Sequence, residues 1–213
     1  MDGGTLGRYA MVRGTKRRLI VEGGGTQNPA LQTECRRAFR RLLERAGVTA
    51  GRPRIVAAGG RRRAYDLYTT AIKNSQSGEH IVLLVDADEP VTSETAWEHV
   101  RTRGQDGWSR PEEAGDEDLH LMVQCMEAWF LADPHVLGSF FGQGFKQDRL
   151  PKGADIEAIP KQAILDGLRA ASAAAKTKGK YGKGSHSFKI LSLLDPQRIK
   201  EASPWARRFF ESL

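Results

Sequence analysis

The chain has 213 residues and a formal charge of +7, from 33 Lys and Arg against 26 Asp and Glu; that length fits one generous domain or two very small ones. At 39% hydrophobic and 28% charged, the composition is that of a soluble globular protein and excludes a disordered one. No run approaches the ~20 apolar residues of a membrane span, the leading residues lack the apolar core of a secretory signal, and two cysteines, Cys35 and Cys125, make neither a disulfide scaffold nor a metal cluster, so a cytoplasmic setting is the default.

In chain order, RRLIV at 17–21 is short, apolar and β-branched, and predicts a first strand ending in EGGGTQN. Leu31, Cys35, Phe39, Leu42, Leu43 and Ala46 then recur at three- and four-residue steps, a helical period. Gly47 stands where a C′ glycine would end that helix. RIVAA at 54–58 predicts a second strand, leading through Gly59-Gly60 into a helix over 62–76. HIVLLVD at 80–86 is a continuous apolar run, as in a strand covered on both faces. Thr92 or Ser93 is expected to cap a helix carrying Ala96, Trp97 and Val100. A glycine-rich acidic loop covers 104–118, and LHLMVQC at 119–125 predicts the fourth strand, followed by MEAWFLADP. Strands alternating with helices indicate an α/β fold with a mainly parallel four-stranded sheet flanked by helices.

From residue 134 the character changes. Residues 138–160 read as irregular, 161–175 as an Ala-rich helix, and KTKGKYGKGSHSF as a flexible basic segment. A short helix near 187–194 and an amphipathic piece with Trp205, Phe209 and Phe210 close the chain. Too few apolar residues remain for a second core. A single domain over 1–213 is expected, with a core of about 15–135 and a basic, helical extension over 136–213.

Charge is segregated along the chain. Residues 1–85 carry 16 basic and 6 acidic side chains, residues 86–133 carry 3 and 13, and residues 134–213 carry 14 and 7. An acidic middle between basic flanks points to a cation site beside a phosphate-binding surface; the plain alternative is an exposed acidic loop at 115–118. Glu22 ends the first strand, Asp86 and Asp88 end the third, and Glu127 follows the fourth. In a parallel sheet these ends share one rim, where ligands bind. Positions 86 and 88 face the same way if the strand continues. Oxygen ligands without His or Cys suit Mg²⁺ or Mn²⁺. Glycines 23, 24 and 25 after Glu22 let backbone N–H groups approach an anion, although a tight turn without a ligand also explains them. Glu127 reads equally as an acid favouring a helix N-terminus.

LIVEGGGT at 19–26 with VLLVDADEP at 82–90 resembles the Toprim arrangement: a strand-ending Glu followed by glycine, then Asp-x-Asp at the end of a later strand. VEGGGTQN, AGGRRRAYD, LVDADEP, MEAWFLAD and KGKYGKGSHSF, in that order, resemble the bacterial domain of unknown function 4276 over most of residues 19–190. The resemblance implies a Toprim-like, Rossmann-like fold with Asp86 and Asp88 holding the metal. Glu22 is the implied general acid or base, or a second metal's ligand, and Glu127 a family-specific ligand or orienting acid. Asp133 is a supporting group or, as readily, a helix terminator before Pro134. Relatives in which this fold works beside an ATPase add a separate ATPase partner in phage defence to what the resemblance implies.

Arg61, Arg62 and Arg63 open a helix at the same rim, where cations oppose the helix dipole; that points to phosphate binding over a solvated helix start. Lys176, Lys178, Lys180 and Lys183 lie in the glycine-rich segment, with Tyr181 placed to stack on a base if the segment closes over a nucleic acid; an ordinary loop is the alternative. His186 is a proton-donor candidate, although a lone His is more often structural. The leading expectation is metal-dependent phosphodiester cleavage of nucleic acid, DNA ahead of RNA, with no membrane partner. The alternatives are a non-catalytic nucleic-acid-binding module resembling recombination mediators and, far behind, a haloacid-dehalogenase-type phosphatase using DADEP.

Overall fold

The computed structural model describes residues 16–49, 52–75, 78–153 and 155–213; most of the segment read for a secretory signal lies outside them. The four apolar runs form four strands: β1 (Lys16–Val21), β2 (Arg54–Ala57), β3 (Glu79–Asp86) and β4 (Leu119–Met122). They pair in the order β2-β1-β3-β4, all parallel. The architecture is the expected α/β one, a parallel sheet with helices on both faces.

Alternation along each strand separates the two faces. Leu19 and Val21 of β1, Val82 and Leu84 of β3 and Met122 of β4 share one core. On that face α1 (Pro29–Arg45) lays down Cys35, Phe39, Leu42 and Leu43. Ile20, Ile81, Leu83, Val85 and Leu121 belong to the other core, with Tyr68 of α2 (Arg61–Lys73) and Trp97 and Val100 of α3 (Ala96–Thr102). The α1 helix starts where Asn28 Oδ1 accepts the Leu31 N–H at 2.9 Å and stops before Gly47 at φ +85, the expected C′ glycine.

The rest of the chain forms α4 (Ala128–Leu131), α5 (Pro134–Phe141), α6 (Lys161–Ala171), α7 (Lys183–Leu191), α8 (Pro196–Ala202) and α9 (Pro204–Glu211). Their apolar sides join the α1-side core: Trp129, Phe141, Leu168, Leu191 and Phe209 are all fully buried there. Residues 136–213 therefore add helices to a core the sheet has already begun, as an amphipathic face demands.

Several boundaries differ from the sequence reading. The fourth strand stops at Met122 instead of 125, and the helix expected over 161–175 stops at Ala171. The helix expected over 62–76 spans Arg61–Lys73, and the one expected near 187–194 begins at Lys183. The cap of α3 is Thr95, whose Oγ1 accepts the Glu98 N–H at 3.2 Å, and not Thr92 or Ser93. The stretch 138–160 holds the end of α5 and a 3₁₀ turn at Gln147–Arg149. Asp133 caps α5 and pairs with Arg198 at 3.6 Å, so helix initiation accounts for it.

Phe209 tests how far this core depends on the last helix. Its ring lies 6.2 Å from Trp129 and 5.6 Å from His120. Phe209→Ala is expected to cost about 3–5 kcal/mol, read as a lower urea midpoint with an unchanged slope.

Candidate functional site

The order β2-β1-β3-β4 means that the chain leaves β1 for one side, then returns across it to β3. The carboxyl ends of β1 and β3 thus flank a topological switch point, where an open parallel sheet leaves a crevice. Glu22 follows β1 and Asp86 ends β3. The Asp86 N–H donates to Glu22 Oε2 at 3.2 Å, and Arg61 lies 3.4 Å from that same oxygen.

The glycines after Glu22 are dictated by space. Gly23 and Gly59 exchange two backbone hydrogen bonds of 2.8 Å, tying the loop after β1 to the loop after β2. Gly24 sits at φ +87, and a Cβ there would come within 2.9 Å of Gln32 Cα. Only glycine fits both the dihedral and the gap. Gly23, Gly24 and Gly25 border one cavity with Glu22 and Asp86, and the Gly23 N–H is taken up by Gly59 O.

Asp88 reaches the site by a different route from the expected one. The strand ends at Asp86, and Asp88 stands at φ +63 with its N–H donating to Gln124 O at 2.7 Å. That left-handed turn, costly for a non-glycine residue, replaces the continuing strand. The two carboxylates still meet through Lys161, whose Nζ lies 3.3 Å from Asp86 Oδ2 and also contacts Asp88 Oδ1. Lys161 opens α6, and its own N–H is held by the buried Gln124 side chain at 3.2 Å.

Glu127 is fully buried. Its Oε1 accepts from Tyr181 Oη at 3.0 Å and Ser187 Oγ at 3.1 Å, and its Oε2 lies 3.5 Å from Lys183 Nζ without a hydrogen bond. Lys183 also stands 3.8 Å from Asp86. Glu127 joins the cluster through Lys183, behind Asp86.

Burial raises the Glu22 carboxyl to about 7, with repulsion from Asp86 adding to it and Arg61 opposing. Asp86 is raised in the same direction, by burial first and by Glu127; Lys183 and Lys161 oppose. Burial would lower the two lysines, but these carboxylates raise both. Among the described residues no three His, Cys, Asp or Glu side chains converge tightly enough to cage a metal as they stand. The carboxylates lean on Arg61, Lys161 and Lys183 instead.

Of the three arginines, Arg61 alone reaches the cluster. It pairs with Asp106 at 2.5 Å, lies 3.8 Å from Asp88 and stacks over Trp108 at 4.9 Å. Arg62 and Arg63 are exposed, Arg62 beside Asp66. Lys176, Lys178 and Lys180 are exposed as well, with Lys178 over the Phe140 ring at 5.3 Å. The expectation that Tyr181 meets a base is overturned: it is 4% exposed, and its hydroxyl is spent on Glu127 and Ser187. His186 does not reach the carboxylates through any hydrogen bond or ion pair. Its Nδ1 accepts the Gly182 N–H at 3.0 Å and its ring packs on Phe140 and Phe141, a local structural role.

Three participants escaped the sequence reading. Asp106 lies in the glycine-rich acidic loop expected over 104–118, yet its side chain is 4% exposed between Arg61 and Arg103. Arg103 also stands 3.4 Å from Asp88. Lys161 carried a usable signal: a cation at the first position of a helix opposes the dipole, as Arg61 does. A cavity of about 440 Å³ lies elsewhere, among Glu94, Asp116, His120 and Trp205. None of the rim carboxylates borders it.

The raised Glu22 carboxyl has a stability consequence. The folded chain keeps a proton at Glu22 that the unfolded chain releases near pH 4.5, so stability falls as pH rises from about 4.5 through about 7. Glu22→Gln removes that ionisation. In chelator-treated buffer the variant is expected to exceed the wild type by about 1–3 kcal/mol at pH 8. The gain should vanish by about pH 4.5, as read from urea midpoints across the pH range.

No helix among the described residues is long and apolar enough to cross a membrane. No curated protein and no solved structure matches the chain. The family model of a domain of unknown function, DUF4276, matches residues 21–213, from the end of β1 through the last helix. With every element of the site inside that match, the chain belongs to the DUF4276 family.

Proposed function

We propose that the chain is a Mg²⁺- or Mn²⁺-dependent phosphodiesterase acting on nucleic acid, DNA ahead of RNA, through a site of the Toprim kind. One observation carries this reading: at the switch point of a parallel sheet, Glu22 after β1 accepts the N–H of Asp86 at the end of β3 and shares Arg61 with Asp88. Residue types and chain order are those of the Toprim pattern.

The donor chemistry fits a divalent cation. Every acidic group is a hard oxygen ligand, Glu22 and Asp86 are both pushed toward protonation by burial first and by a neighbouring carboxylate, and Glu127 Oε2 is buried without a hydrogen bond. Asp86, Asp88 and Glu22 would hold the ion, with Glu127 behind Asp86. Bound there, a divalent cation supplies Lewis-acid polarisation of a phosphate and a water of lowered pKa. Where Asp86 and Asp88 hold the ion without it, Glu22, its carboxyl raised to about 7 by burial, can take a proton from an attacking water or return one to a leaving oxygen. Arg61, Lys161 and Lys183 bring positive charge to the same place and stabilise the charge that builds on the phosphate oxygens.

A binding module without turnover is favoured by one observation: Lys161 already bridges Asp86 and Asp88. A separate ATPase partner and a part in phage defence rest on the resemblance alone.

The test is cleavage of labelled plasmid, single-stranded DNA and RNA with Mg²⁺ or Mn²⁺. Glu22→Ala and Asp86→Ala are each expected to lose about 100-fold or more of the activity, while filter binding persists and chelation stops the wild type. Equal residual cleavage by the wild type and both variants would exclude the enzyme and leave the binding module.

A further inference from the structure

The outer face of α1 carries charge that the rim does not use. Arg37, Arg40, Arg41 and Arg45 are all exposed there, while Cys35, Ala38, Phe39, Leu42 and Leu43 turn to the sheet. Among the described residues none of these four arginines forms an ion pair or a side-chain hydrogen bond. Glu44 stands three or four residues from Arg41 and Arg40, yet it pairs with Arg52 at 3.3 Å. Arg36, at the edge of this face, donates to Thr33 Oγ1 at 2.8 Å.

Such a face is locally unfavourable. Arg36 with Arg40, Arg37 with Arg41 and Arg41 with Arg45 stand four residues apart, and like charges at that spacing repel on a helix. Solubility alone is served as well by interspersed charges of both signs. The basic residues of α1 are all arginine, whose planar fork pairs two donors with phosphate oxygens. From Arg37 to Arg45 the row runs about 12 Å at ~1.5 Å per residue, the length of about three successive phosphates of one strand at ~3.4 Å each.

A lipid surface suits this face less well. A helix lying in a bilayer surface buries its apolar side in lipid, and the apolar side of α1 is covered by the protein core. The one exposed large hydrophobic among the described residues, Leu193, follows α7 and is not on α1. The arginine row also starts near the rim: Gln32, early in α1, donates to Gly25 O at 3.0 Å, so the helix leaves from the loop after Glu22.

We propose that the Arg37–Arg40–Arg41–Arg45 face of α1 is a docking surface for the phosphate backbone of a nucleic acid, continuing the contact beyond the rim. The assignment rests on the nucleic-acid reading of the site and adds a second place of contact to it. Arginines that meet phosphates alone carry no sequence information, so the surface holds strands of any sequence.

The test is binding of the full chain to a labelled DNA duplex and a labelled single strand, with chelator present, from about 50 to about 200 mM salt. Arg37→Gln, Arg40→Gln and Arg41→Gln combined remove three charges and keep a good helix former at each position. A second triple variant, Arg101→Gln with Arg149→Gln and Arg207→Gln, removes the same charge from exposed positions off α1. The α1 triple is expected to weaken binding to every sequence and to lower the slope of log affinity against log salt by about 2–3, while the second triple stays near the wild type. Equal slopes in the wild type and the α1 triple, or equal losses in the two triples, would overturn the surface. Intact DNA binding with lost binding to phosphatidylserine vesicles in the α1 triple would overturn it too, in favour of a membrane. Cleavage is read separately. An unchanged slope with cleavage intact removes the surface and leaves the phosphodiesterase standing. Conversely, the expected slope change in a chain that cleaves no strand supports the surface and removes the nuclease, and a wild type that binds no strand removes both.

Discussion

Repulsion among carboxylates held out of water is the constraint around which the rim is built. Glu22, Asp86, Asp88, Asp106 and Glu127 are drawn together by the ends of β1 and β3 and by the segments that follow β4 and α3. Left alone, such a group would take up protons or push the loops apart. The chain answers with Arg61, Arg103, Lys161 and Lys183, each within 4 Å of at least one of those acids. Three of the four open a helix: Arg61 opens α2, Lys161 opens α6 and Lys183 opens α7. A cation at a helix N-terminus is unfavourable for the dipole. Attraction to the carboxylates offsets that local cost.

The same pairs explain why the C-terminal helices belong with the sheet. Lys161 and Lys183 come from α6 and α7, so Asp86 and Glu127 meet these cations only when those helices are in place. Tyr181 and Ser187, from the same region, supply the hydrogen bonds of buried Glu127. Burying Glu127 without them would leave a carboxylate in an apolar core at several kcal/mol. Apolar packing through Trp129, Leu168, Leu191 and Phe209 and this polar network therefore point to one arrangement. Agreement between the two is what makes a packing unique.

The strands were legible because a run such as HIVLLVD has no good place except a doubly covered sheet, and the period of α1 was legible because its apolar face is continuous. Rim membership followed for Glu22 and Asp86 from topology alone. Asp88 was harder: sequence placed it beside Asp86 by strand alternation, whereas a left-handed turn and Lys161 bring it there. The KTKGKYGKGSHSF stretch misled most. Its glycines and lysines read as mobile, but one Tyr and one Ser in it have a buried carboxylate as their partner. Composition averages over a segment and cannot register a single tertiary bond made across 54 residues.

Charge segregation needs the same correction. Asp116, Glu117 and Asp118 precede β4 and so lie at the amino end of the sheet, opposite the rim; Asp118 pairs there with His80 at 3.1 Å. A good part of the negative balance of residues 86–133 thus has nothing to do with the site. What does matter is smaller: Asp86, Asp88, Asp106 and Glu127 from the acidic middle, Glu22 and Arg61 from the first basic flank, Lys161 and Lys183 from the second. Each flank contributes charge at a stated contact, and most of its remaining basic residues face water. The acidic middle and its basic flanks are complementary at one rim, where a few buried ion pairs set the local field; the summed charge of each segment does not.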